Sequence, residues 1–245
     1  MRSHGAGVKV VLDIETVQAP REEWARLAGL ESPAGDGCDD STPADLFAYG
    51  DDQARMRKED ELYERSSFDG TYSRIVCIGL LVFSDAMTPQ GAVSWYGADE
   101  AGMLRQFWQR LAELRPSLFI THNGLGFDLP FIKKRSVIHQ VRPSIDINLA
   151  KFRTEPVYDT MAIWSNWDMR GWVKLDVLAR ALQVETKSGS GKQVAEMWAR
   201  GQGKDIAEYC LQDTYVTYAV YQRLTFQTPL PSSEVLGNPQ LIAVQ

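Results

Sequence analysis

The 245-residue chain predicts a single domain of mixed α/β class, a β-sheet with helices on both faces. Three observations lead there. Residues 8–14 form a nearly unbroken β-branched and aliphatic run, the pattern of a central strand buried on both sides rather than an edge strand. After it, strand-like and helix-like segments follow as strand, strand, helix, strand, helix and short strand, then helices. Near the end, residues 204–224 are long and amphipathic at helical spacing.

Taken in order, the first strand gives way to an acidic insertion at about residues 29–70. It contains GDGCDDSTPAD and YGDDQARMRKEDELYERSS, rich in Asp, Gly and Ser, with a short helix expected around residues 51–65. Such a segment suits a solvated surface loop or, in the sharper reading, a lid over a site. Strand signals resume at 74–83 (RIVCIGLLVF) and 92–96. A strong helix follows. Asp99 suits its N-cap, Met103, Leu104, Phe107, Trp108, Leu111 and Leu114 recur at helical spacing, and Pro116 closes it. Residues 118–121 read as a buried strand, 127–139 as a helix, 157–160 as a short strand and 175–182 as a helix with an apolar face. A loop, SGSGK, occupies 188–192, followed by helices at 195–200 and 204–224. The segment from about 226 holds three prolines and reads as a C-terminal tail.

Composition is that of an ordinary globular protein, with 44% hydrophobic and 24% charged residues. The net charge of −6 argues against a non-specific nucleic-acid coat, although metal-binding carboxylates and an acidic loop both lower the total. Cys38, Cys77 and Cys210 form neither a CxxC pair nor a disulfide framework, which fits a reducing compartment. The apolar run at 8–12 is too short for a signal peptide, and no stretch approaches the roughly 20 residues of a membrane span. A soluble cytoplasmic protein with no membrane partner is expected.

Four acidic residues and a tyrosine carry the candidate chemistry. Asp13 and Glu15 lie two apart in a strand and therefore project to the same side. Two carboxylates beside a buried run are costly unless neutralised, and a hard divalent cation such as Mg²⁺ or Mn²⁺ does that with oxygen ligands. Alone, D-x-E is more often a strand end with solvated charges. Tyr209 and Asp213 lie four apart on a helix and share a face. Alone, they are more often a half-buried tyrosine and a surface aspartate. Asp128 follows a buried strand and the turn at 122–124, where Asn123 offers an amide. It also suits a helix N-cap. Together the five are the makings of a site for two divalent cations, suited to hydrolysis of a phosphodiester.

In combination, the motifs resemble the DEDD (DnaQ-like) superfamily of 3′–5′ exonucleases, which has a ribonuclease H-like fold. D-x-E matches at Asp13-Ile14-Glu15, N-x3-F/Y-D at Asn123, Phe127 and Asp128, and Y-x3-D at Tyr209 and Asp213, over about residues 8–225. The histidine subclass has His five residues before the last aspartate. Glu208 stands there, so the tyrosine subclass is the better match. The segment GSGKQVAEMW to IAEYCLQDTYVTY is further similar to standalone exonucleases related to the proofreading domain of family B DNA polymerases. The resemblance implies that Asp13 bridges two metals, Glu15 and Asp213 complete the site of the one carrying the attacking water, and Asp128 supports the other. It implies that Tyr209 orients the nucleophile, Thr16 holds the terminal nucleotide and Phe127 packs beside a base, a place in the core being an equal alternative for Phe127. Products would be 5′-nucleoside monophosphates from a free, single-stranded 3′ end, DNA favoured over RNA, with a repair or replication partner. The rival expectation is a catalytically silent module of the same fold that binds nucleic acid or a protein.

Other features are weaker. The segment at 188–193 lacks P-loop spacing and reads as a mobile loop in which Lys192 is a candidate phosphate contact. Lys133, Lys134 and Arg135 read as solvated charges or as contacts to a strand backbone. Asp159 is a candidate supporting carboxylate. Trp164, Trp167 and Trp172 fit a core or partner surface better than base stacking. The three histidines form no metal site, and His122 is expected to pack behind Asn123. No motif fixes an oligomeric state.

Overall fold

The structure, a computed structural model, describes residues 7–30, 48–185 and 192–245, with residues 48–53, 55, 192 and 193 described in backbone only. Among the described residues the strands are β1 (Val8–Gln18), β2 (Ser73–Ser84), β3 (Pro89–Gly97), β4 (Leu118–Thr121), β5 (Val157–Asp159) and β6 (Gln240–Val244). The helices are α1 (Arg21–Leu27), α2 (Ala48–Ser66), α3 (Glu100–Leu114), α4 (Asp128–Ile138), α5 (Thr160–Trp164), α6 (Leu175–Ala181), α7 (Lys192–Ala199), α8 (Gly203–Leu224) and α9 (Ser232–Leu236).

The strands form one mixed sheet in the order β5-β4-β1-β2-β3-β6. β1, β2 and β3 are an antiparallel meander, while β4 runs parallel to β1, β5 to β4 and β6 to β3. This is the expected α/β class in its ribonuclease H-like arrangement. β1 is central, as its unbroken apolar run requires, because strand alternation sends its residues into two separate cores. Val10, Leu12 and Ile14 join Ile78, Leu80 and Val82 beneath α3 and α4. Val11 joins Leu81 and Phe83 beneath α8. Asp13 and Glu15 continue the Val11 side, so the strand pattern delivers both carboxylates to the face that α8 covers.

Local signals explain the helix ends. Asp99 Oδ1 accepts from Gly102 N at 2.8 Å to start α3, and Arg115, left-handed at φ 46°, stops it before Pro116. The buried Glu100 of α3 receives Arg135 of α4 through two hydrogen bonds, of 2.8 and 2.6 Å, and also accepts from Ile75 N at 2.8 Å. The two helices and β2 are thereby joined through one ion pair.

The insertion is only partly among the described residues. Its expected helix is present as α2, slightly longer than anticipated. One end is docked at the exit of β1. Gln18 Nε2 donates to Tyr63 O at 2.7 Å, Tyr63 donates to Ala19 O at 2.9 Å, and Tyr63 meets Trp24 edge-on at 5.3 Å.

The segment expected to be a tail from about 226 is a correction. It folds as α9 and then β6, an edge strand paired with β3 from Val93 to Gly97. Its prolines punctuate rather than dissolve structure, since Pro231 sits at the N-cap of α9. QLIAV buries Val244 at the end of α3, and Gly97, at φ 142°, leaves room for the Val244 carbonyl that a Cβ would strike at 2.0 Å.

Candidate active site

Three elements converge where β1 outruns β4. The parallel β1–β4 pairing covers only Lys9–Val11 against Leu118–Ile120, which leaves the later part of that β1 edge without a strand partner among the described residues. Asp128, the first residue of α4, takes part of that place. Its Oδ1 accepts from Ile14 N at 3.1 Å, between the two carboxylate-bearing positions of β1. Asp128 is 4% exposed, and burial raises its pKa to about 7 against the lowering effect of its backbone hydrogen bonds.

The opposite wall is α8. Asp13 pairs across the sheet with Gly79. A Cβ at Gly79 would lie 2.8 Å from Cys210 Sγ and 3.3 Å from Thr214 Cγ2, so the missing side chain lets α8 settle onto the sheet here. Cys210 Sγ then lies 3.5 Å from both the carbonyl and Oδ2 of Asp13. Candidate ligand atoms of Asp13, Glu15 and Cys210 all fall within 4.8 Å of one another. Tyr209 and Asp213, on the same stretch of α8, influence each other's protonation.

The electrostatics follow from crowding. Burial pushes the Asp13 carboxyl well above the usual range, and Glu15, Asp128 and Asp213 push it further. Burial does the same to Glu15, reinforced by Asp213, Cys77 and Asp128. Asp213 rises to about 6 through burial, with Asp176 at the start of α6 adding to the rise and the Tyr209 hydroxyl opposing it. The Tyr209 phenol is raised by burial and then by Asp213 and Glu15, so it stays protonated. The Cys210 thiol is likewise raised by burial. The four carboxylates and the tyrosine of the three sequence motifs therefore meet in one cluster of interacting groups. Among the described residues it is a set of hard oxygen donors short of positive charge, the environment that suits divalent cations.

The loop between β4 and α4 is held from below. Asp159, at the end of β5 and 2% exposed, accepts from Asn123 N and Leu125 N, each at 2.9 Å. It also caps α5 through Met161 N and Ala162 N. Asn123, at φ 63°, closes the turn, its carbonyl accepting from Gly126 N at 3.0 Å and Phe127 N at 2.8 Å. His122 contacts Thr160 Oγ1 at 2.8 Å and the Val173 carbonyl at 3.1 Å, and burial lowers its pKa. Its role is to tie the loop down.

The remaining expected residues are distributed as follows. Thr16 is half-buried immediately past Glu15, where a bulge breaks the β1–β2 register. Phe127 is half-buried against Phe131, with ring centres 5.3 Å apart. Residues 186–191 and the Lys192 side chain lie outside the described residues. Lys134 is paired with Asp69 at 2.6 Å and Arg135 is buried on Glu100, so of that basic trio Lys133 and Lys134 are exposed. Trp164 and Trp172 are exposed, and Trp167 meets Phe152 at 5.3 Å. Sequence reasoning passed over Gly79 and Cys210. A glycine inside the strand RIVCIGLLVF is the signal that could have found the first; the second has no local signal.

Residues 68–234 match the family described as "predicted 3′-5′ exonuclease related to the exonuclease domain of PolB". The chain belongs to this family. Asn123, Phe127, Asp128, Tyr209 and Asp213 fall inside the matched stretch, while Asp13 and Glu15 precede it. The chain is similar to the catalytic chain of DNA polymerase epsilon from Saccharomyces cerevisiae, 29% identical over 136 residues, covering 51% of this chain and 6% of that protein. It is 26% identical over 161 residues to a DNA polymerase of Pyrococcus glycovorans, covering 58% and 20% respectively. It is 24% identical over 161 residues to a catalytic chain of DNA polymerase epsilon from Arabidopsis thaliana, covering 59% and 8%. The match thus spans a fifth or less of these relatives. No described helix is long and apolar enough to cross a membrane.

Proposed function

We propose that this PolB-related exonuclease domain hydrolyses single-stranded DNA from the 3′ end, with two divalent cations, Mg²⁺ or Mn²⁺, releasing 5′-nucleoside monophosphates. The observation that carries the reading is the meeting of Asp13, Glu15, Asp128, Tyr209 and Asp213 around the end of β1. A phosphodiester is an anion, and four crowded carboxylates would repel it unless cations stood between. The same carboxylates carry raised pKa values that a cation would relieve. Bound there, the cations would supply charge neutralisation at the phosphodiester and a more acidic water.

The protein's own residues have distinct tasks in this reading. Asp13, central in the cluster, would serve both cations, with Glu15 and Asp213 completing one site and Asp128 supporting the other. Tyr209 keeps its proton on Oη and would orient the attacking water. Thr16, Asn123 and Phe127 line the approach of the terminal nucleotide, and Lys192 is a phosphate contact. Glu208 supports the tyrosine-subclass assignment, because it is exposed and faces Lys204 at 3.6 Å instead of the carboxylates. The proposed setting is cytoplasmic, with a replication or repair partner.

The test uses 5′-labelled DNA and RNA oligonucleotides with Mg²⁺ or Mn²⁺, with and without EDTA, beside Asp13→Ala. A ladder shortening from the 3′ end, lost with EDTA and in the variant, and faster on DNA, is the expected result. Intact oligonucleotides under every condition, with folded protein, would reject the enzyme in favour of a silent binding module.

A further inference from the structure

Phe68 is 75% exposed, yet it does not sit on a loose loop. The turn that follows α2 is anchored at several points. Asp69 N donates to Ser66 O at 3.0 Å, Tyr72 N to Asp69 O at 3.0 Å and Thr71 N to Asp69 Oδ1 at 2.8 Å. α4 grips it from the other side, Lys134 Nζ donating to Asp69 Oδ1 at 2.6 Å and Arg135 Nη1 to Gly70 O at 3.2 Å. Gly70 lies so close to Phe131 that a Cβ would be 3.2 Å from its ring. A fixed backbone therefore presents a large apolar side chain to water.

The direction of that presentation is informative. The Phe68 ring meets Phe127 edge-on, with centres 6.4 Å apart, and Phe127 immediately precedes Asp128 of the carboxylate cluster. Phe127 leans in turn on the buried Phe131. The row Phe131, Phe127, Phe68 thus runs from the core to the solvent edge at the start of α4, whose first residue is Asp128, and its outermost member has most of its surface free.

We propose that Phe68 is a stacking platform for a base of the substrate strand as it enters the carboxylate site, an inference that rests on the nuclease reading above. Aromatic faces accept any base, which suits an enzyme that removes nucleotides irrespective of sequence. A ring held on a rigid turn loses little conformational freedom when it is covered. The ion pair of Lys134 with Asp69 locks this turn to the same helix that carries Asp128, so platform and carboxylate are held at a fixed separation.

The test compares wild type, Phe68→Ala and Phe68→Trp on two single-stranded DNA oligonucleotides, one normal and one abasic over its last three 3′ positions. Phe68→Ala is expected to raise KM on the normal strand by roughly 5- to 150-fold, the loss of one base–aromatic stack, with kcat little changed. Phe68→Trp restores KM, the abasic strand is insensitive to either change, and thermal unfolding is unaltered because the side chain is exposed. If wild type cleaves but Phe68→Ala is indistinguishable from it, or is impaired equally on both strands, the platform is overturned while the nuclease stands. If wild type cleaves neither strand, the nuclease reading falls and this inference falls with it.

Discussion

Gly79 faces Cys210 across the sheet–helix interface at a separation that leaves no room for a methyl group, 2.8 Å from a hypothetical Cβ to Sγ. Gly79 also pairs with Asp13, so one small residue sets how near α8 comes to the first carboxylate of the cluster. Gly79→Ala is expected to cost about 1–3 kcal/mol of stability by overpacking and to lower activity by displacing Tyr209 and Asp213. Adding Cys210→Ala should return part of both. Urea denaturation and turnover of the two single variants and the double variant check this, with a favourable coupling of about 1 kcal/mol expected.

The carboxylate cluster gives stability an unusual pH dependence. Asp128 at about 7 and Asp213 at about 6 lie above the value near 4 that a carboxyl has in the unfolded chain. The folded state therefore binds protons that the unfolded state has released. In EDTA, stability should rise as pH falls from 8 toward 5 and be lost as pH rises through 6 to 7. Asp13→Asn, which removes one of the repelling charges, should melt higher than wild type in EDTA at pH 8. Calorimetry across this range is the measurement, and a melting temperature that drops as the pH is lowered from 8 to 5 would contradict the crowding.

Cations should reverse that weakness. Mg²⁺ or Mn²⁺ at about 100 times its dissociation constant stabilises by about 2.7 kcal/mol. The gain should be larger at pH 8 than at pH 6, because protons and cations compete for the same oxygens. Titration of the melting temperature with each metal, for wild type and Asp13→Asn, reads this directly. A shift of equal size in both proteins would place the cations elsewhere.

Asp159 holds the loop that aims Asp128. Asp159→Asn keeps the volume but replaces one accepting oxygen with a donor, leaving Asn123 N or Leu125 N without a partner. A cost of about 1–3 kcal/mol is expected. Because the loop leads directly into Asp128, kcat should fall in this variant even at temperatures where it is fully folded. Denaturant melts paired with single-turnover rates separate the two effects.

The Glu100–Arg135 pair is structural. Glu100→Ala would strand a guanidinium that is 8% exposed and should cost about 3–5 kcal/mol. Cation affinity at 25 °C should stay near wild type in whatever fraction remains folded, since neither residue belongs to the carboxylate cluster. Chemical denaturation and metal titration together test that division.

Much of this is readable from residue order. The run at 8–14 predicts a strand buried on two faces, and β1 does divide its side chains between two cores. Asp99, the helical spacing after it and Pro116 mark α3 almost to the residue. The helix inside the insertion is expected at 51–65 and runs Ala48–Ser66. The tail departs from expectation because prolines are strong local signals, whereas β6 exists only through its pairing with β3, a partner more than a hundred positions earlier. No local pattern announces such a partner.

The sequence by itself determined the chemistry on offer: which residues bear carboxylates, that Asp13 and Glu15 share a strand face, that Tyr209 and Asp213 share a helix face, and in what order they come. Only the tertiary structure decided that these faces meet. Asp128 reaches Ile14 across 114 positions and Cys210 reaches Asp13 across 197. Propensity and periodicity act over a few residues, while the approach of α8 to β1 depends on a missing side chain at Gly79 and on where β4 stops. Those are properties of packing, fixed when distant segments exclude water together.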